Sequence, residues 1–81
     1  MFTVYAISSI SKNYIYVGLT IDVQNRLKRH NSGYEKTTRS YRPFELLYSE
    51  EHQSRIKARE REKYLKSGVG KEFLKNLLKK K

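Results

Sequence analysis

The chain opens on strict alternation. In MFTVYAISSI (Met1–Ile10), Phe2, Val4 and Ala6 fall on one face of an extended strand and Thr3, Tyr5 and Ile7 on the other. The polar stretch Ser8–Asn13 reads as a turn, and YIYVGLT (Tyr14–Thr20) returns as a second strand. Together they predict an antiparallel hairpin with a loop longer than the tightest type. The period then changes. Over Ile21–Gly33, Asp22 suits an N-cap, Val23 and Leu27 share one helical line, and Gly33 suits a C-terminal cap. Tyr34–Pro43 has no apolar period and reads as a loop, with Pro43 marking the start of a third strand, Phe44–Glu50. Ser54–Lys66 predicts a charged helix that Gly68 and Gly70 break. Lys71–Lys80 predicts a short amphipathic helix with Phe73, Leu74, Leu77 and Leu78 on one side, and the three-lysine tail is expected to fray.

The predicted order is β-β-α-β-α-α. Three strands are not stable alone in water, so the helices must cover the sheet. The expected fold class is therefore α+β (α/β in the broad sense), a small three-stranded antiparallel sheet flanked by three helices. At 81 residues the chain makes a single domain, residues 1–81, near the small end for independent folding.

Composition narrows the chemistry. There is no cysteine, which excludes a disulfide framework and a thiolate metal site. No apolar run approaches a membrane span and no leader pattern opens the chain, so a cytoplasmic protein is expected. The net charge of +10 lies wholly beyond residue 25, because the first 25 residues hold only Lys12 and Asp22. Such a field attracts polyanions, with nucleic acid the first candidate and an anionic membrane surface the second.

Three groups of residues stand out. Arg26 and His30 are four apart and share a helix face beside the Val23–Leu27 line. On the charged helix, Ala58, Glu62 and Leu65 fall on one narrow face, with Glu60 on nearly the opposite side. The most apolar stripe of that helix thus carries a carboxylate, which must be paired or bound to a cation. Pairing with Lys66, or cover from Arg55 or Arg61, is the structural alternative to a metal or catalytic role. The loop mixes Lys36, Arg39 and Arg42 with Tyr34 and Tyr41, a combination suited to phosphates and bases. There is no phosphate-binding Gly-rich loop, zinc-type His/Cys cluster or Ser-His-Asp set, so a Mg²⁺ site made from a carboxylate and substrate phosphates fits the inventory better.

Val4–Tyr5, then Tyr16–Gly18 (YVG) about ten residues on, resembles the GIY-YIG nuclease superfamily. The resemblance continues through the Arg26-x-x-x-His30 spacing, HNSG (His30–Gly33), LLYSEE (Leu46–Glu51) and REKYLKSG (Arg61–Gly68). The last two, with HNSG, look like the small stand-alone bacterial members, and REKYLKSG puts the family glutamate on Glu62. Thr3 stands where the first motif has glycine, Val4 where it has isoleucine, and Leu19 where some repair members have lysine.

The resemblance implies a metal-dependent DNA endonuclease, structure-preferring or weakly specific, using one Mg²⁺ or Mn²⁺. By position, Tyr16 activates the attacking water, with Tyr5 as its hydrogen-bonding partner. Arg26 neutralises charge in the transition state, His30 orients groups or relays a proton, Glu62 holds the metal, and Gly18 gives the backbone clearance. DNA is the implied partner, targeting would fall to a protein partner, and DNA repair or recombination is the expected setting. Tyr14 is expected only to pack. A non-catalytic nucleic-acid-binding module on the same fold is the alternative, and the membrane a distant third.

Overall fold

β1 (Phe2–Ser9) is the middle strand of a three-stranded antiparallel sheet of order β2-β1-β3. The computed structural model describes residues 1–80; Lys81, the last of the tail expected to fray, lies outside the described residues. β1 is followed by β2 (Ile15–Thr20), α1 (Val23–Asn31), a 3₁₀ turn (Arg39–Tyr41), β3 (Phe44–His52), α2 (Arg55–Lys66) and α3 (Gly68–Lys79). The expected α+β order is the one observed.

Both faces of β1 are covered, which is why both sets of its alternating positions are apolar or small. Val4 and Ala6 join Val17 of β2, Ala58 and Leu65 of α2 and Leu74 of α3 in one core. Tyr5 and Ile7 face the other way, into a second core with Phe44, Val23 and Leu27. Val4, Ile7, Leu65 and Leu74 are wholly buried, and each such side chain contributes about 1.5–3 kcal/mol relative to exposure.

α1 ends as its sequence demands. The Asp22 carboxylate accepts from Asn25 N–H at 3.1 Å. At the far end Gly33 takes φ +81°, its N–H donates to the His30 carbonyl, and Tyr34 N–H donates to the Arg29 carbonyl. That is a Schellman closure, which needs a residue free to adopt positive φ.

Three boundaries depart from the sequence pattern. β2 begins at Ile15; Tyr14, just before it, still accepts from Ser9 N–H at 2.9 Å and stacks its ring on Tyr41, centroids 3.9 Å apart. β3 runs two residues past Glu50, since Glu51 and His52 pair with Thr3 and Phe2. α3 starts at Gly68 rather than Lys71. The glycines do not break the helical course there: Ser67 closes α2 and its hydroxyl accepts from Gly70 N–H at 3.3 Å, capping α3. A side chain at Gly70 would meet the Tyr64 carbonyl and the Leu65 backbone, so the glycine lets the two helices touch.

β3 also carries a bulge. Ala6 pairs with Tyr48 but Ile7 with Leu46, leaving Leu47 as the extra residue. Leu47 and Tyr48 consequently pack on the same core although adjacent in sequence, while Phe44 and Leu46 pack on the other.

β3 is clasped to α2 at Glu50. Its carboxylate accepts from Tyr48 Oη at 2.5 Å, His52 Nε2 at 2.5 Å and Arg61 Nε at 2.9 and 3.0 Å. Burial alone would push the Glu50 carboxyl up; these hydrogen bonds and the Arg61 charge outweigh it and hold the group below the usual carboxylate range. The unfolded chain therefore takes up this proton first as pH falls. The clasp's stabilisation is complete above the ordinary glutamate value of about 4.3 and is lost as pH drops through the lower folded value. Glu50→Gln is expected to lower the melting temperature at pH 7 and to flatten its fall between about pH 5 and pH 3. Thermal melts across that range check this; parallel curves for the two proteins would assign the acid sensitivity to other groups.

Candidate active site

Tyr5 is 1% exposed, and its hydroxyl lies 3.0 Å from His30 Nε2 on α1. His30, also buried, reaches on to Thr38 Oγ1 through Nδ1 at 2.8 Å. Thr38 is wholly buried in the otherwise polar loop, and its hydroxyl donates to the Glu35 carbonyl at 3.5 Å. One assignment satisfies every group in this chain: Tyr5 O–H donates to Nε2, Nδ1–H donates to Thr38, and Thr38 donates to Glu35. His30 is then the neutral Nδ1–H tautomer.

The electrostatics agree with that assignment. Burial pushes the Tyr5 phenol well above its ordinary value, and the neighbouring Tyr16 adds to this. Burial pushes His30 below its ordinary value; Glu35 opposes the shift, and Arg26 and Arg29 reinforce it. A neutral phenol and a neutral imidazole are the favoured pair at neutral pH.

Gly18 faces Tyr5 directly across the β1–β2 ladder. A Cβ there would lie 2.6 Å from the Tyr5 hydroxyl oxygen. The clearance expected at Gly18 is thus filled by a side chain of the protein.

Tyr16 stands beside this pair, its ring 4.9 Å from that of His30 and 6.3 Å from that of Tyr5. Unlike Tyr5 it is only partly buried, and it lines an open cavity of about 340 Å³. Gly18, Arg26 of α1 and Arg55, Arg59 and Glu62 of α2 line the same cavity. Three guanidinium groups and one carboxylate make it a strongly positive concavity. Arg26 Nε is buried without a hydrogen-bond partner among the described residues.

Glu62 lies between the buried Ala58 and Leu65, as the helical wheel predicts, with its side chain 12% exposed. It pairs with Lys66 Nζ at 3.2 Å and with Arg59 at 3.8 Å. Arg61 turns away to Glu50 instead. Among the described residues no group of three or more His, Cys, Asp or Glu is placed to hold a metal ion. The donor set is a single carboxylate open to the cavity. That suits Mg²⁺, which binds through one or two carboxylates together with substrate phosphates and water.

The loop residues stand apart from this cavity. Tyr34 is exposed and covered on one face by the Arg29 guanidinium, 4.5 Å from the ring centroid. Arg39 Nε donates to the Gly33 carbonyl at 2.9 Å, and Arg42 lies against Gly33. Lys36 is exposed. Tyr41 has one face on Tyr14, with Lys12 Nζ 5.4 Å from its ring centroid.

Thr38 and Arg59 complete the picture that residue patterns missed. Thr38 follows another threonine in a stretch without period, and only its eight-residue distance from His30 connects them. Arg59 is one of several arginines on α2, and its side of the helix is told only by the packing.

At the edge of a small α+β sheet, a tyrosine, three arginines and a glutamate thus line one cationic cavity. The chain belongs to the GIY-YIG catalytic domain family, whose model matches residues 1–76. It is 52% identical over 42 residues to a UPF0213 protein of Streptococcus sanguinis (strain SK36), a match spanning 51% of this chain and about half (48%) of that relative. The solution NMR structure of a UPF0213 protein from Bacillus halodurans superposes with a TM-score of 0.56 at 34% identity, over 95% of this chain and 85% of that one. No helix of the described residues is long and apolar enough to cross a membrane.

Two stability tests follow from the buried chain. Gly18→Ala drives a methyl group into Tyr5 and is expected to destabilise by about 1–3 kcal/mol in urea unfolding. Thr38→Val leaves the Nδ1–H of His30 without its acceptor and is expected to lose a similar ~1–3 kcal/mol. In the same variant, nitrogen NMR of the imidazole should show that Nδ1–H is no longer the single favoured tautomer. An unchanged tautomer would remove Thr38 from its assigned place.

Proposed function

We propose that this chain hydrolyses phosphodiester bonds in DNA, binding the scissile phosphate in the cavity between α1, β2 and α2. The observation that carries this is the convergence of Tyr16, Arg26, Arg55, Arg59 and Glu62 on one concavity. A phosphodiester entering it meets several positive charges that can bind the developing charge of a pentacovalent transition state. Arg26 lines this concavity, where its guanidinium can meet a phosphate oxygen.

Tyr16, partly exposed beside the arginines, is the phenol that meets the attacking water. Tyr5 and His30 act behind it. Their neutral hydrogen-bonded pair fixes the wall against which the Tyr16 ring rests. Glu62 would hold the divalent ion, Mg²⁺ or Mn²⁺, which when bound supplies Lewis-acid polarisation of the phosphate. For Glu62 to do so, Lys66 and Arg59 must give up its oxygens, and an incoming phosphate offers Arg59 a stronger partner.

Incubation with plasmid, branched and single-stranded DNA, with and without Mg²⁺, tests the proposal. Cleavage should require the divalent ion. Glu62→Gln and Tyr16→Phe should each lower the rate by about 10²-fold or more, a loss typical of removing one transition-state contact. Equal cleavage by both variants would remove the cavity from the chemistry.

One observation favours a second reading. Glu62 already has two basic partners, so its negative charge is compensated without a metal. On that reading the domain binds nucleic acid without cutting it. Salt-dependent binding with no cleavage of any substrate in Mg²⁺ or Mn²⁺ would favour that alternative.

A further inference from the structure

β2 is an edge strand, and its outer side is not sealed by the helices. One depression along it is lined by Tyr16, Val17, Lys66 and Lys71, together with Tyr14 and Ile15. The next shares Tyr14, Ile15 and Lys71 and adds Asn13 and Lys75. Tyr16 also lines the arginine cavity. The three hollows therefore neighbour one another in a row, a trough along the edge of β2 from the cavity at Glu62, past Tyr16, to the exposed lysines of α3.

Its lining has two characters. One side is cationic: Lys66, Lys71 and Lys75, with no Asp or Glu in either outer hollow. Lys66 shares its charge with Glu62, whereas Lys71 and Lys75 are exposed on α3 and form no ion pair among the described residues. They are one helical turn apart, about 6 Å along the axis. The other side is the edge of β2, with Ile15 and Tyr16 and, just before the strand, Tyr14, one face of whose ring is taken by Tyr41. The loop basic residues Lys36, Arg39 and Arg42 line none of the three hollows.

We propose that this trough holds a single-stranded nucleic acid segment leading away from the cavity, with its phosphates on Lys66, Lys71 and Lys75 and its bases against Tyr14 and Ile15. The inference rests on the nucleic-acid reading of the cavity and adds a path and a strandedness to it. A basic groove with aromatic side chains is the surface that unpaired strands use, because their base faces are free to stack. A duplex hides those faces and would leave the strand side of the trough without partners.

Fluorescence anisotropy on the full chain in EDTA tests the path apart from cleavage, using a labelled oligothymidylate and a labelled duplex of equal length. Lys71→Gln/Lys75→Gln is expected to weaken oligothymidylate binding about tenfold and to reduce the salt slope by about 1.4, at ~0.7 per lost single-strand phosphate contact. Tyr14→Ala should weaken the single strand and leave the duplex unchanged. Both lysines are exposed, and circular dichroism of each variant is the check that it is folded. An unchanged affinity and slope in the double lysine variant would overturn the trough, most directly if Lys36→Gln/Arg39→Gln weakened binding instead. Equal losses on strand and duplex would overturn the strandedness. If the unaltered protein bound neither probe, the proposed function itself would fall; if it cut DNA while the lysine variant bound normally, the trough alone would fall.

Discussion

Tyr5 occupies the space that any side chain at residue 18 would need, and the surrounding architecture follows from that contact. The phenol fits only because its cross-strand partner is glycine. Once there, its hydroxyl is too deeply buried to find water and must be satisfied by protein. His30 does this from α1, and Thr38 in turn satisfies His30 from the loop. A single close approach between two strands thus ties a helix and a loop to the sheet. It also sets the wall on which Tyr16 stands, so the packing of one face of β1 determines what the cavity presents to solvent.

The second organising feature is electrostatic. The chain carries a large positive charge, yet the partly buried carboxylates of Glu50 and Glu62 are treated differently. Glu50 accepts from three side chains around it, which makes it a fixed clasp between β3 and α2. Glu62 has two looser partners, Lys66 and Arg59, and one side open to the cavity. A carboxylate with spare capacity beside several guanidinium groups is poised to exchange partners when an anion arrives. That contrast distinguishes structural from chemical use of the same residue type on two neighbouring elements.

Much of the fold was legible because local signals agreed. Alternation in Phe2–Ile7, the Asp22 cap, the Gly33 turn and the Ala58–Glu62–Leu65 stripe each pointed to the element observed. Where local and tertiary signals diverged, the pattern misled. Gly68 and Gly70 look like breakers, yet Ser67 supplies a cap and the approach of Leu65 requires a small residue at 70. The bulge at Leu47 leaves no mark in composition, since adjacent apolar residues fit either face of a strand. The cavity was half visible: Tyr16, Arg26 and Glu62 meet there, but the contributions of Arg55 and Arg59 depend on how α2 is rotated. Thr38 was invisible because burial of a loop threonine is decided by a histidine on another element.

Ser67 ends one helix and begins the next, with no residue between them. Such an elbow has almost no conformational slack, and the Gly70 contact removes what remains. α2 and α3 therefore behave as one bent rod. The arginines of the first arm and the lysines of the second are held at a set offset, like marks on a ruler. One residue added within the first turn of α3 would rotate the positions after it by roughly 100° and point Lys71 and Lys75 away from β2. The spacing of charge along this face is thus encoded less in the basic residues than in the single serine that joins their helices.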